Sequence, residues 1–589
     1  MSKKLKRVFC LLLATTMVTG LLGGCTGSSS DSVDTITETK NAVTQDAGAA
    51  SDPKEEGTTD AWQLAATSTY EPYPETVTYT VGLRVRADVA YPEGSTDTAE
   101  ESAYTRFMKS KLNIQNENAF EAADDNDYNQ KVSMAITSGE IPDIMSVTYE
   151  DFKELAENGM LEDLTEAYNN CASDLMKEIY ASNNNLSLDM ATIDGKLYAI
   201  PTTAISSGPE MLWLRGDWMD KLGLEEPRTL EDIENIVKAF VEQDPGENGA
   251  GKTVGIPLCV DGDTNYIYGS YSGAYKANNI FTSFGAYPEQ WIEGKDGTAV
   301  YGSVQPEMKQ GLQVLADWYK EGVIDQQLAV RTYDDIKALV TDGKCGSYFC
   351  GWWAPYDLAG SYELNPDVEW RAYILPAGSD NKVTMWSGNP NQNYFVVRKG
   401  FEHPELLVKA KSITLDYNQG DAAYTDDSAE CKEYLDYVAH GYGVEVIGGF
   451  DWYDAAARAY QHISEAIDGT RNPDEMNAYE HSLYESCTKY LEAVNNKEKP
   501  EKANWLDYNA RMVASKLMND TEVNIVQPVF FTQTDSMSLM WESLRTLERT
   551  TILKIVTNEL SVDEFDAFAE EWMNAGGQQI TEEVNEAIN

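Results

Sequence analysis

Residues 246–253 read GENGAGKT and satisfy G-x-x-x-x-G-K-[ST], the loop whose backbone amides cradle nucleotide phosphates. Such a loop works between a strand and a helix, because the helix N-terminus must face the phosphates. Here the order is reversed. An amphipathic helix, RTLEDIENIVKAFVEQ, leads in, and the exit, TVGIPLCV, carries Pro257 and reads as a strand. The match is accidental. The same stretch half-fits a calcium loop, with Asp244, Asn248 and Gly249 at positions 1, 5 and 6 of an EF-hand-like pattern. Gly246 at position 3 and Gly255 at position 12 offer no side-chain oxygen, so Asp244 and Asn248 form only a partial calcium pair and no metal is expected.

Other reactive combinations are missing. There is no G-x-S-x-G and no H-E-x-x-H; GSYSG at 269–273 puts Tyr271 where a nucleophilic serine would stand. Two carboxylates could serve a glycosidase, but among 97 acidic residues a pair somewhere proves nothing. Cys171, Cys259, Cys345, Cys350, Cys431 and Cys487 follow no disulfide framework and no C-x-x-C spacing. Cys345 and Cys350 could be bridged, though buried thiols are the expectation. No residue is singled out as catalytic and no cofactor is expected, although a missing motif does not by itself exclude a glycosidase.

The chain opens as an export signal. Lys3, Lys4, Lys6 and Arg7 precede an apolar run from Val8 to Leu22 that ends in Leu22-Gly23-Gly24-Cys25. This resembles a bacterial lipobox, in which Cys25 is lipidated and becomes the mature N-terminus. An anchor of two or more acyl chains holds stably to a membrane. Residues 26–75 are rich in Ser, Thr, Ala, Gly and acid, so a disordered acidic tether of about fifty residues and roughly 40 Å reach is expected. The formal net charge of -52 disfavours nucleic acid and anionic lipid surfaces, leaving the N-terminal lipid as the membrane contact. No later apolar run approaches membrane-spanning length.

What remains is too long for a single core and predicts two or more lobes. Residues 76–86 alternate as a strand, 100–112 have helical spacing, Asp127 can cap a helix that stops at Gly139, and IPDIMSV precedes another helix from Glu150. Strand-helix-strand-helix order implies a mainly parallel sheet. Farther on, 210–215 read as a strand and Thr229 with Asp232 forms a capping box, with Leu230, Ile233, Val237 and Phe240 as the buried stripe. Beyond Glu402 the chain is mostly helical. Ser561 with Glu564 predicts a capping box there, and Gly576-Gly577 a helix stop.

LWLRGDWMDKLGLEEPRTLEDIENIVKAFVEQDPGENG (212–249), DGKLYAIP before it, and MWESLRTLERTTILKIVTNELSVDEFDAFAEEWMNAGGQQITEEVN near the C-terminus give the chain a family likeness. From about Thr76 to Asn589 it resembles the extracellular solute-binding lipoproteins of carbohydrate ABC importers, closest to the large aldouronate-type branch. In that family the loop matched by Asp244 to Thr253 can carry calcium; Gly246, Lys252 and Thr253 stand here where oxygen ligands would be wanted. The resemblance implies an α/β, two-lobe periplasmic-binding-protein-like fold of type II with a ligand cleft, a helix-rich C-terminal region, and lobes that close over the ligand. It also implies a monomeric, non-enzymatic receptor on the outer face of the cell membrane, delivering an oligosaccharide to ABC permease subunits. A receptor for peptides or another solute on the same fold, or an anchored glycoside hydrolase, are the alternatives. The expected division is 1–25 signal, 26–75 tether, 76–208 first part of lobe 1, 209–384 first part of lobe 2, and 385–589 a return crossing with helices serving both lobes. Crossings are expected near Ser206 to Trp213 and Met385 to Tyr394.

Sugar rings call for flat aromatic platforms and convergent amides or acids. The chain holds 34 Tyr and 13 Trp, enough to pack cores and still line a cleft. Near the crossings and loops, the candidates are Trp352 and Trp353 in GWWAPYD, Trp386, Asn389 and Asn391 in MWSGNPNQNYF, Tyr271 and Tyr275 in YIYGSYSGAY, and Asn126 and Asp127 at a helix N-terminus. Arg215 beside Asp217 reads as a structural ion pair.

Overall fold

A computed structural model describes residues 55–588, apart from 87–88, 262–265, 272 and 376–381. Cys25 and the export signal lie outside the described residues. The tether expected to run to residue 75 is overturned from residue 55 onward. Residues Glu55–Ala66 form a helix, and the chain after it is fastened to the body of the protein. Trp62 stacks on His403 with ring centroids 5.1 Å apart, and Tyr73 Oη donates to Glu405 at 2.9 Å. Lys409, fully buried, donates to the carbonyls of Ala65 and Glu71 and lies 4.7 Å from the centre of the Tyr73 ring. Composition averaged over 26–75 hid this, because the few large apolar residues gather at the far end and their partners lie more than 300 residues away.

Lobe 1 begins with β1 (Val77–Arg84), β2 (Ile114–Ala122), β3 (Ile144–Val147) and β4 (Ala199–Thr203). The chain then enters lobe 2 through β5 (Met211–Arg215), β6 (Ser347–Cys350) and β7 (Trp370–Tyr373). It returns by β8 (Val383–Trp386) and β9 (Asn391–Val397), and β10 (Val523–Val526) follows late. The lobe 1 sheet has the order β2-β1-β3-β9-β4, with β1 parallel to β2 and β3. The return strand β9 is antiparallel to both β3 and β4, so the other four strands share a direction and only the strand arriving from lobe 2 opposes them. Lobe 2 departs from the parallel expectation: β5 lies between β6 and β7 and is antiparallel to both. All five residues of β5 are buried, as suits a central strand covered on both faces.

Local signals explain most helix ends. Thr229 and Asp232 form the expected capping box of helix Leu230–Gln243, whose buried stripe is Ile233, Ile236, Val237 and Phe240 while Leu230 is only half-buried. Helix Asp125–Ser138 starts earlier than expected, capped by Asp124 rather than Asp127. The same shift occurs near the end, where the Ser561 hydroxyl accepts from Asp563 N in a tight turn and makes no capping box with Glu564. Gly576, at φ 130°, kinks the chain inside a wide turn, and helix continues over Gln578–Ile588.

The cores separate cleanly in sequence. One is built from residues between Ala65 and Ile200 with Tyr394 to Phe450, and a second from Leu212 to Leu375 with Met537 to Val584. Helices Lys502–Asp507 and Ser515–Asp520 cover the other face of the lobe 2 sheet through Trp505, Leu517 and Met518. Three stretches join the lobes over a small area: 204–210, 387–390 and 451–454. Beside them β8 and β10 pair in parallel, Val383 opposite Val523 through Trp386 opposite Val526.

Candidate functional site

Three cavities of about 500, 280 and 190 Å³ meet at one side chain, Ile205, in the first crossing. Ile205 is 41% exposed, an apolar group left at the centre of a groove whose walls come from both lobes. The crossings form its floor because an extended strand entering from each lobe leaves only short, polar links between them.

The largest chamber lies between the first crossing and the return crossing. Ser206, Ser207, Ser270, Gln290, Asn389 and Gln392 line it together with Tyr271 and Trp386. Asn389 Oδ1 accepts from Asn391 N at 2.9 Å, a local turn that leaves its amide donors for a guest. Asn391 spends its amide on Ser187 O and Tyr394 Oη, at 3.0 and 2.9 Å, while its Oδ1 and the Ser387 hydroxyl are buried without a partner among the described residues. Unpaired buried polar atoms beside a cavity are costly unless something bonds them, and ligand hydroxyls have that capacity.

A second chamber is bounded by Thr202, Thr203, Asn418, Gln419, Glu445 and Phe450. Glu445 accepts from Asn418 Nδ2 at 2.9 Å and from Tyr434 Oη, so its carboxylate is oriented by the wall. Below it Lys411, fully buried, donates to Gly448 O at 2.9 Å and lies 3.9 Å from the centre of the Phe395 ring. Burial pushes this ammonium down to about 7, with the Glu445 charge opposing. Asp451, in the same wall, has its carboxyl raised by burial despite accepting from Trp452 N.

The third chamber is the aromatic and cationic one. Trp352, Trp452, Tyr479, Arg458 and Arg511 surround it. Arg458 lies over Trp452 at 4.0 Å and is paired with Asp454 at 2.6 Å. Arg511 lies over Trp352 at 4.3 Å and reaches Tyr479 Oη.

The residues singled out from sequence divide. Tyr271, Trp386, Asn389 and Asn391 come together in the largest chamber, and Trp352 lines the third. Trp386 is only 1% exposed, wedged against Tyr271 at 4.6 Å, so it shapes the wall more than it offers a platform. Trp353 lines no chamber and stands edge-on to Trp352 at 5.9 Å. Tyr275 is buried within lobe 2 against Tyr333 and Tyr348. Asn126 and Asp127 do not face the groove chambers; Asp127 is paired with Lys131 at 2.8 Å on the outside of lobe 1. Asp244 of the partial calcium pair accepts from Asn248 N, Gly249 N and Thr253 Oγ1, which consumes its oxygens within the loop. The phosphate-loop match is followed by a bridge of Val254 to Cys345, not by a helix. Arg215 and Asp217 are ion-paired at 2.6 Å, and Cys345 and Cys350 are free buried thiols. Among the described residues no cluster suited to a metal occurs.

Sequence reading missed Gln419, Asp451, Trp452, Tyr479 and Arg511. The signal for part of this set was GGFDWYD at 448–454, where two glycines and two adjacent aromatics interrupt a region read as helical.

A groove walled by two lobes, with the chain crossing beneath it more than once, is a place where a ligand can be held between them. The chain belongs to the bacterial extracellular solute-binding proteins, which residues 102–406, just over half of its length, match. It is 27% identical over 253 residues to the fructooligosaccharide ABC transporter substrate-binding protein FusA of Streptococcus pneumoniae, covering 40% of this chain and 44% of that one. With the polygalacturonan/rhamnogalacturonan-binding protein YtcQ of Bacillus subtilis it shares 24% identity over 469 residues, 78% of this chain and 82% of that one. The chain thus spans less than half of the first relative and about four fifths of the second. Among solved structures, an HMO-binding, ABC-transporter-associated solute-binding protein of Bifidobacterium longum infantis has the same fold, with TM-score 0.59 at 15% identity over 87% of this chain and 98% of that one. No described helix is long and apolar enough to cross a membrane.

Proposed function

We propose that the groove takes an oligosaccharide and that the protein delivers it to the permease of an ABC importer, held at the outer face of the membrane through Cys25. The observation that carries this is the largest chamber, about 500 Å³, with serine, asparagine and glutamine side chains around Tyr271 and Trp386 and unpaired buried polar atoms at its edge. Hydroxyl-rich ligands match such a lining: their many donors and acceptors pair with amides and hydroxyls, and their C–H faces lie on rings. The named sugars of FusA, YtcQ and the Bifidobacterium protein support the same class. Binding without turnover fits the carboxylates, since Glu445 and Glu480 are held by wall groups and Glu289 by Arg549 at 3.1 Å. The protein acts as a monomer in this reading, with the permease as its partner.

Thermal melting of the mature chain against neutral and acidic oligosaccharides, followed by analysis of the recovered sugar, tests it. A ligand present at a hundred times its dissociation constant stabilises by about 2.7 kcal/mol. A raised melting temperature with the sugar intact is the expected result. Cleaved sugar would make the protein a hydrolase, and a response only to peptides or amines would replace the ligand class.

A further inference from the structure

We propose that Arg511 receives a carboxylate of the ligand, so that the groove prefers acidic over neutral oligosaccharides; this rests on the groove being a sugar site. Arg511 lies in a wide π-helical turn, Tyr508–Ala514, an irregularity often found at functional positions. It is 6% exposed and yet lines the third chamber. Its side-chain partners are neutral phenols, Tyr479 Oη and Tyr356, and Nε is buried without a partner among the described residues. No carboxylate oxygen among the described residues lies within 4.0 Å of it.

That isolation is unusual in this chain, where 97 acidic residues face 45 basic ones. Arg458 in the same chamber has Asp454, Arg215 has Asp217, and Arg398 has Asp143. The carboxylates near Arg511 are already engaged. Glu480 holds His462 Nδ1 at 2.9 Å, Asp507 accepts from Tyr356 Oη at 3.0 Å, and Asp451 accepts from Trp452 N at 2.8 Å. A buried guanidinium with five donors and so few acceptors is strongly under-satisfied. Its flat face is taken by Trp352, which leaves the terminal nitrogens to meet an anion in the chamber. Trp352 and Trp452 stand where the ring bearing that carboxylate would pack. The largest chamber, lined by serines and amides, then suits the neutral remainder of the same chain.

The experiment compares matched probes by calorimetry: oligogalacturonates and aldouronic acids, and the same oligosaccharides with each carboxyl reduced to a primary alcohol. The wild-type protein is expected to favour the acids by about 10- to 100-fold, the range of a charge-assisted pair. Arg511→Gln should collapse that ratio, and Arg511→Lys should restore part of it, with the melting temperature of each variant confirming a folded protein. Equal affinity of acids and reduced sugars for the wild type overturns the role of Arg511 and leaves the sugar site standing. A preference for acids that survives in Arg511→Gln also overturns it. Binding of neither set overturns this inference together with the sugar reading beneath it.

Discussion

Replacing Lys411 by methionine would separate charge from shape in the wall of the second chamber. The side chain is fully buried on helix Glu405–Asn418, donating to Gly448 O, and burial holds its ammonium down to about 7 against an ordinary lysine value of 10.5. Between those two values the unfolded chain binds a proton that the folded protein does not. Wild-type stability therefore rises with pH across this window relative to Lys411→Met, and the difference is flat below it. From pH 7 to pH 9 the unfolded state titrates by two units, less the third of a unit over which folded Lys411 is still losing its proton. The wild type then gains about 2 kcal/mol on the variant. If the whole protein melts as one unit that is about 2 °C in melting temperature, and about 5 °C if lobe 1 melts alone. Scanning calorimetry of both proteins at pH 7, 8 and 9 reads it directly. A wild-type-minus-variant difference that stays constant, or falls with pH, would refute the buried, half-titrated lysine.

Glu210, buried at the entrance to lobe 2, gives the opposite slope. Burial raises its carboxyl to about 8 against the ordinary 4.5, so wild-type stability is lost between those values as pH rises. Glu210→Gln should gain on the wild type by about 1.4 kcal/mol per pH unit from pH 5 to 7, read as melting temperature, and an unchanged gap would exclude the raised value. Calcium and a chelator should leave the melting temperature alike, since Asp244 already accepts three hydrogen bonds within its loop. A calcium-dependent rise abolished by Asp244→Asn would show otherwise. Trp62→Ala should destabilise lobe 1 by about 2 kcal/mol and speed amide exchange over 60–66, a prediction that unaltered exchange would sink.

What the sequence disclosed was chiefly what neighbours in sequence decide. The capping box at Thr229 and Asp232 is read from four adjacent letters, and β5 from an uninterrupted apolar run. The crossings expected at 206–213 and 385–394 came with the family likeness, and the stretch at 451–454 was not among them. Site residues on those crossings were within reach, as Asn389 and Asn391 were. Trp452 was signalled only by the break GGFDWYD, and Arg511 not at all, because its meaning comes from Trp352, more than a hundred residues away. Aromatic residues misled for a related reason. Tyr275 and Trp352 look alike in a glycine-rich loop, and only tertiary packing puts one ring in the interior of lobe 2 and the other beside a cavity.

The clasp of Lys409 and Trp62 on the chain that leads in from the N-terminus has a mechanical meaning. About thirty residues, not fifty, separate Cys25 from the first fastened helix, so even drawn taut they pay out no more than about 100 Å of line. More importantly, the line is made fast to lobe 1 alone. Lobe 1 alone carries the incoming chain, while Trp352 and Arg511 stand beyond the three crossings with the other lobe, so the two walls of the groove differ in what they are attached to.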